Sequence, residues 1–239
     1  MNQKHHYAIT VQNALKAQSD PKAKEIAQRF FKTGEGEYAH GDIFLGMKVP
    51  QVRALAKEFA SIELSEVLIL LTSEIHEERL IALYFLIDKY KKGDDLIKKE
   101  IFDIYMTHTK YINNWDLVDT SCESIVGAYL ENLSKEPLRK FALSSNLWKR
   151  RIAIISTFYY IKRLKYQLTF EIADSLLADK HDLIHKAVGW MLREVGKRCG
   201  EDILCGYLDI NYRKMSRTTL RYAIERFEKE KRLYYLHKK

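Results

Sequence analysis

RLIA (79–82), WDLV (115–118), RRIA (150–153), KAVG (186–189) and LRYA (220–223) lie over one another at a nearly constant spacing. Their small closing residues, Ala82, Val118, Ala153, Gly189 and Ala223, are separated by 36, 35, 36 and 34 positions. A period of that size marks a helical-repeat solenoid, in which each helix pair buries its apolar face against its neighbours. One segment departs from its siblings. WDLV and the aspartate that follows it place Trp115 and Asp119 four residues apart, on one face of a helix and about one turn from each other. An indole beside a carboxylate on a repeat scaffold has the chemistry of a site.

Outward from these segments, apolar residues recur at three- and four-residue spacing, which predicts helices. The runs are Ala54–Phe59, Leu64–Leu71, Glu78–Tyr90, Leu96–Met106, Asp116–Leu130, Pro137–Leu143, Lys149–Leu164, Phe170–Leu177, Leu183–Cys199 and Thr218–Leu236. Ser134 with Pro137, and Ser216 before RTTLRYAIE, supply helix starts. Period-2 alternation, the strand signal, is nearly absent, so the fold class is all-α: a HEAT-like solenoid read as one domain over 1–239. A tetratricopeptide array has a compatible period, but its W-x₂-L-G-x₂-Y signature is missing.

The glycine-rich stretch TGEGEYAHGDIFLG (33–46) interrupts the helical pattern with glycines at 34, 36, 41 and 46. It reads as a loop or short hairpin before a helix. It lacks GxxxxGK[ST] and no buried strand precedes it, which argues against a nucleotide-binding P-loop. Its expected place is beside the bound polymer, where glycines permit close backbone approach; an ordinary connector is the competing reading.

The 239-residue chain carries 40 Lys and Arg against 32 Asp and Glu, a net charge of +8. That balance favours a polyanionic partner. Lys149, Arg150, Arg151, Lys186 and Arg217 stand near expected helix starts, where backbone N–H groups and the helix dipole favour anions. Spacing alone leaves open which of Lys149, Arg150 and Arg151 reaches a phosphate. Cys122, Cys199 and Cys205 are odd in number and lack metal-ligand spacing, which points to reduced thiols in a cytoplasm. The N-terminus has no apolar signal core, and no apolar run is long enough to span a bilayer. His181 and His185 share a helix face but lack the glutamate of H-E-x-x-H and a third ligand, so they read as a polar helix start. His5 and His6 read as part of a frayed terminus. Trp148 reads as structural, and no metal is expected.

NNWDLVD (113–119), SNLWKRRIAI (145–154), KAVGWMLREVGK (186–197) and SRTTLRYAIE (216–225) together resemble the bacterial DNA alkylation repair family, the AlkD-type glycosylases with HEAT-like repeats. The segment from Phe30 to Arg53 resembles the N-terminal part of many members, so the likeness covers most of the chain. It implies a basic concave groove for duplex DNA containing alkylated bases, a monomeric chain and no cofactor. The implied reaction is hydrolysis of the N-glycosidic bond to a cationic purine of the 3-methyladenine or 7-methylguanine type, without rotating the lesion into a tight pocket. By position, Asp119 matches the family's catalytic aspartate, Trp115 the tryptophan before it, Arg151 its functional arginine and Trp190 its second tryptophan. A member that binds damaged or branched DNA without cutting it would share the same fold and charge. A protein-binding helical scaffold is the third class, disfavoured by the basic balance.

Overall fold

Burial reproduces the repeat register. Ala82, Val118, Ala153 and Ala223 are all buried, and Gly189 is buried with them. A Cβ added at Gly189 would meet the Tyr222 Cβ at 2.5 Å and the Thr219 carbonyl oxygen at 2.6 Å. At Gly189 the absent side chain therefore lets two helices approach closely.

The computed structural model describes residues 7–237; His5 and His6 lie outside them. The helices are α1 (Ala8–Ala17), α2 (Pro21–Phe30), α3 (Val49–Glu58), α4 (Leu64–Leu71), α5 (His76–Lys92), α6 (Asp95–Thr107) and α7 (Trp115–Cys122). A π-helical turn, Glu123–Gly127, comes next. Then follow α8 (Glu136–Ala142), α9 (Leu147–Ser156), α10 (Phe158–Ile161), α11 (Gln167–Leu176), α12 (Asp182–Arg198), α13 (Glu201–Asn211), α14 (Arg217–Ala223) and α15 (Lys229–His237). No strand forms among the described residues; a single parallel bridge joins Ile43 and Ile75. The fold is an all-α helical-repeat array, and it has two compact units, Met1–Ser121 and Cys122–Lys239.

In the first unit α5 is the central helix, with α1, α3, α4 and α6 packed on it. Leu80, Ile81, Ala82, Leu83, Phe85 and Leu86 are buried almost all round, as expected of a helix covered on several faces. In the second unit α12 takes that place, against α9, α11, α13 and α14. Side-chain caps set the starts. Asp20 accepts from Lys22 N and Ala23 N, Asn146 from Trp148 N and Lys149 N, and Ser216 from Thr219 N. His181 caps α12 by accepting from Leu183 N at 3.1 Å. Burial holds its pKa below the ordinary value, which keeps that ring nitrogen available as an acceptor.

Several elements differ from the sequence reading: α13 lies outside the predicted runs, Lys149–Leu164 divides at Thr157 into α9 and α10, and Thr218–Leu236 divides into α14 and α15. Helices α1 and α2 precede the first periodic run, and α2 buries none of its residues. The expected helix over 116–130 is interrupted by the π turn. There a Cβ on Gly127 would strike the Ser156 carbonyl oxygen at 2.5 Å, so two backbones meet at this point. Ser134 accepts from Glu136 N, but the helix itself starts one residue later, at Glu136.

Candidate functional site

In the first unit the chemistry gathers at the start of α7. The Asn114 side chain accepts the Trp115 backbone N–H at 2.8 Å, fixing where the helix begins. The indole of Trp115 is partly buried. It stacks on Phe31 (centroids 5.3 Å apart, planes at 25°) and meets Phe30 edge-on at 5.9 Å. Phe30 is 62% exposed, so this aromatic group opens to solvent on one side. Asp119, one turn along α7, is also partly buried.

Behind the aromatic group lies a buried charge network that spacing did not reveal. His76, the first residue of α5, places Nε2 at 2.8 Å from an Asp116 carboxylate oxygen. Its Nδ1 is 3.4 Å from Asp42 on the glycine-rich loop. Arg79 donates to the other Asp42 oxygen at 2.7 Å, and Asn113 donates to that same oxygen at 3.2 Å. Burial alone would depress the His76 pKa; attraction to Asp116 and the bonds to both carboxylates outweigh it and raise the pKa above the ordinary value. Burial would likewise raise the Asp42 carboxyl, yet the His76 hydrogen bond and the Arg79 charge hold it below the usual range. Asp116 is thus engaged inside the protein and is no idle neighbour of Trp115.

The glycine-rich loop does cradle an anion, and that anion is the protein's own. The Glu77 carboxylate accepts backbone N–H bonds from Leu45 (2.9 Å), Gly46 (2.9 Å) and Met47 (3.1 Å). Gly46 has φ +85°, and a Cβ there would lie 2.3 Å from the Asp20 carbonyl oxygen and 2.4 Å from Lys24 N. Leu45 O accepts from Asp20 N. The end of the loop therefore anchors the start of α2, the helix that ends in Phe30. No group of three or more His, Cys, Asp or Glu among the described residues is arranged to hold a metal ion.

The second unit holds the other candidates. Trp190 on α12 is partly buried, with Phe158 at 6.0 Å. Trp148 is buried, as read from the sequence. Arg151 is only 5% exposed and donates to the Leu183 carbonyl at 2.5 Å, so its guanidinium faces inward, contrary to a simple surface clamp. Arg150 is similarly occupied, donating to Asp179 at 2.6 Å and to the carbonyls of Ser144 and Ser145. Lys149 lies with its ammonium 5.4 Å from the Phe141 ring centre. Lys186 pairs with Asp182 one turn before it, and Arg217 donates to the Leu236 carbonyl. Of the cations singled out by spacing, Lys149, Lys186 and Arg217 are the outward ones.

The protein is thus a helical-repeat protein with an aromatic and carboxylate cluster at a helix start. The family model for DNA alkylation repair enzymes matches residues 11–227, which spans most of both units, and the chain belongs to that family. Among solved structures it is similar to a protein described as a predicted DNA alkylation repair enzyme from Enterococcus faecalis. That likeness has a TM-score of 0.70 at 17% identity, covering 89% of this chain and 98% of that one. It is also similar to AlkD2 from Streptococcus mutans (TM-score 0.54, 16% identity, 93% and 97% covered). A third likeness is to smu.31 from Streptococcus mutans UA159 (TM-score 0.52, 17% identity, 92% and 99% covered). At these identities the likeness is one of fold. No curated protein matches the chain. Among the described residues no helix is long and apolar enough to cross a membrane.

Proposed function

We propose that the protein is a monofunctional DNA glycosylase that releases cationic N-alkylated purines, of the 3-methyladenine and 7-methylguanine type, from duplex DNA. The observation that carries this reading is the partly buried Asp119 carboxylate one turn from the partly buried Trp115 indole, in a chain of the DNA alkylation repair family. An alkylated purine already bears positive charge, so it leaves without protonation by a strong acid. As the bond from C1′ to nitrogen stretches, its electron pair goes to the purine, and positive charge builds on the deoxyribose. Asp119 stabilises that charge and orients the attacking water. The water oxygen bonds to C1′ and its proton is released, leaving a neutral alkylpurine and an abasic sugar. The electron-rich face of Trp115 steadies the sugar or the cation.

Lys149, Lys186 and Arg217 contact phosphates in this reading, with Trp190 as a second aromatic contact. Arg151 supports the start of α12 through the Leu183 carbonyl, and Arg150 holds the turn before α9. The net charge of +8 supports a DNA partner. The test is incubation with duplex DNA containing 7-methylguanine and chromatography of the freed base. Release by the parent protein and its loss in Asp119→Asn supports the proposal. Tight DNA binding with no base released replaces it with a family member that binds damaged or branched DNA.

A further inference from the structure

We propose that His76 is a positioning residue: through Asp116 and Phe31 it sets where the Trp115 indole stands, and it does so as an imidazolium. The link to catalysis rests on the reading of Trp115 and Asp119 given above; the coupling of His76 to Trp115 does not.

The two nitrogens of His76 face carboxylates on two different segments, Asp116 on α7 and Asp42 on the loop. A neutral imidazole has one N–H and can donate to only one of them. The cation donates to both. The surrounding groups complete the charge balance: Asp42 and Asp116 are negative, Arg79 is positive, and Asn113 is a neutral donor to Asp42. With His76 charged, two anions face two cations. With His76 neutral, a carboxylate confronts a ring lone pair in a site where the His76 side chain is only 2% exposed, and unpaired buried charge is strongly disfavoured. Asp116 is the carboxylate with less other support: its second oxygen is buried and has no hydrogen-bond partner among the described residues, so loss of the imidazolium charge weakens its hold even where Nε2 keeps its proton.

Two routes carry this to Trp115. The first is covalent, because Asp116 is the next residue on α7. The second is a run of rings. Phe44 lies over the imidazole at 4.3 Å and Phe31 at 5.3 Å, and Phe31 also stacks on Trp115 at 5.3 Å. A cation under these rings gains from their electron-rich faces, and loses that gain when it deprotonates. The His76 pKa is raised in the same sense, because Asp116 and Asp42 favour the cation over the effect of burial.

The experiment follows the indole N–H resonances of Trp115, Trp148 and Trp190 in ¹H–¹⁵N spectra of the whole protein, alongside the His76 ring, from neutral to alkaline pH. Trp115 is expected to shift with the His76 midpoint while Trp148 and Trp190 do not. In Asp116→Asn that midpoint falls toward the ordinary histidine value, and the variant brings it into range if the parent stays charged throughout. His76→Gln removes the transition. On methylated duplex DNA, kcat for base release is expected to fall on the alkaline side with the same midpoint, with KM unchanged. A Trp115 resonance that stays fixed while His76 titrates, or a His76 that is neutral throughout, overturns the proposal. Coupling without base release leaves the positioning role standing and removes the glycosylase reading; base release without coupling does the reverse.

Discussion

In the proposed function Asp119 and His76 divide the work at the scale of single residues, one facing the reaction and the other holding its neighbour. Losing one well-placed electrostatic group typically costs about 2.7–4 kcal/mol of transition-state stabilisation, or about 10²–10³ in rate. Asp119→Asn is therefore expected to slow single-turnover release of 7-methylguanine by about that factor while duplex binding is retained. Asp103→Asn, an exposed partner of Lys99, is the silent comparison, and an equal loss in both variants removes Asp119 from the mechanism. Asp116→Asn cannot serve as that comparison because its carboxylate is bonded to His76. The charge network also shapes stability against pH. The His76 pKa is raised by folding, so its contribution is complete below the unfolded histidine value and is lost as pH rises through the folded one. The Asp42 pKa is lowered, so its contribution is present above the unfolded carboxyl value and is lost as pH falls through the folded one. Urea unfolding is expected to show a plateau between these limits, with the alkaline decline absent in His76→Gln. Trp115 and Asp119 were legible in the sequence because helical spacing puts them on one face. His76 was not, since its partners lie 34 and 40 positions away on a loop and another helix. Arg151 was legible as a cation, but spacing carries no information about burial.

The glycine-rich loop is an element tied down at its C-terminal end. Glu77 closes three backbone N–H groups over one carboxylate, and Gly46 lets the loop pass against the start of α2. A left-handed φ in a non-glycine residue costs about 1–3 kcal/mol, and here the added methyl also meets backbone atoms rather than a movable side chain. Gly46→Ala should therefore lower the unfolding free energy by at least about 2 kcal/mol and shift α2, whereas Gly36→Ala, with open space around it, should cost only the conformational term. Equal losses at the two positions would show that the packing against α2 is irrelevant. The two 17-residue helices, α5 and α12, were readable because each carries a dense apolar pattern over several turns. Helix α2 differs: its apolar stripe, Ala23, Ile26, Ala27 and Phe30, is short and lies among charged residues, and the helix buries none of it in the core. The π turn was hidden for a different reason: a close backbone contact near Gly127 breaks a helix whose apolar period runs on unchanged.

Across the whole molecule, the excess of eight positive charges matters through phosphates, and each phosphate neutralised on duplex DNA contributes about 0.9 to the slope of log affinity against log salt. Five cations stood out in the sequence, but they are not equivalent. Arg150 and Arg151 hold backbone carbonyls and Asp179, so removing either acts first on stability. Lys186 sits in an exposed pair with Asp182, of a kind worth about 0–1 kcal/mol, and a phosphate can compete for it. Lys149 and Arg217 are likewise near the surface, against Phe141 and the Leu236 carbonyl. Replacing Lys149, Lys186 and Arg217 together by Gln is therefore expected to flatten the salt slope by about 2–3 and to weaken binding similarly across DNA sequences. The unfolding midpoint should change little. A titration of labelled duplex at several salt concentrations, read beside a thermal melt, checks both halves. A slope equal to the parent's would move the DNA contact away from these helices, whatever the fate of Asp119. A slope flattened as expected, with base release slowed only in proportion to lost binding, would assign these three residues to holding the duplex and leave the chemistry with Asp119.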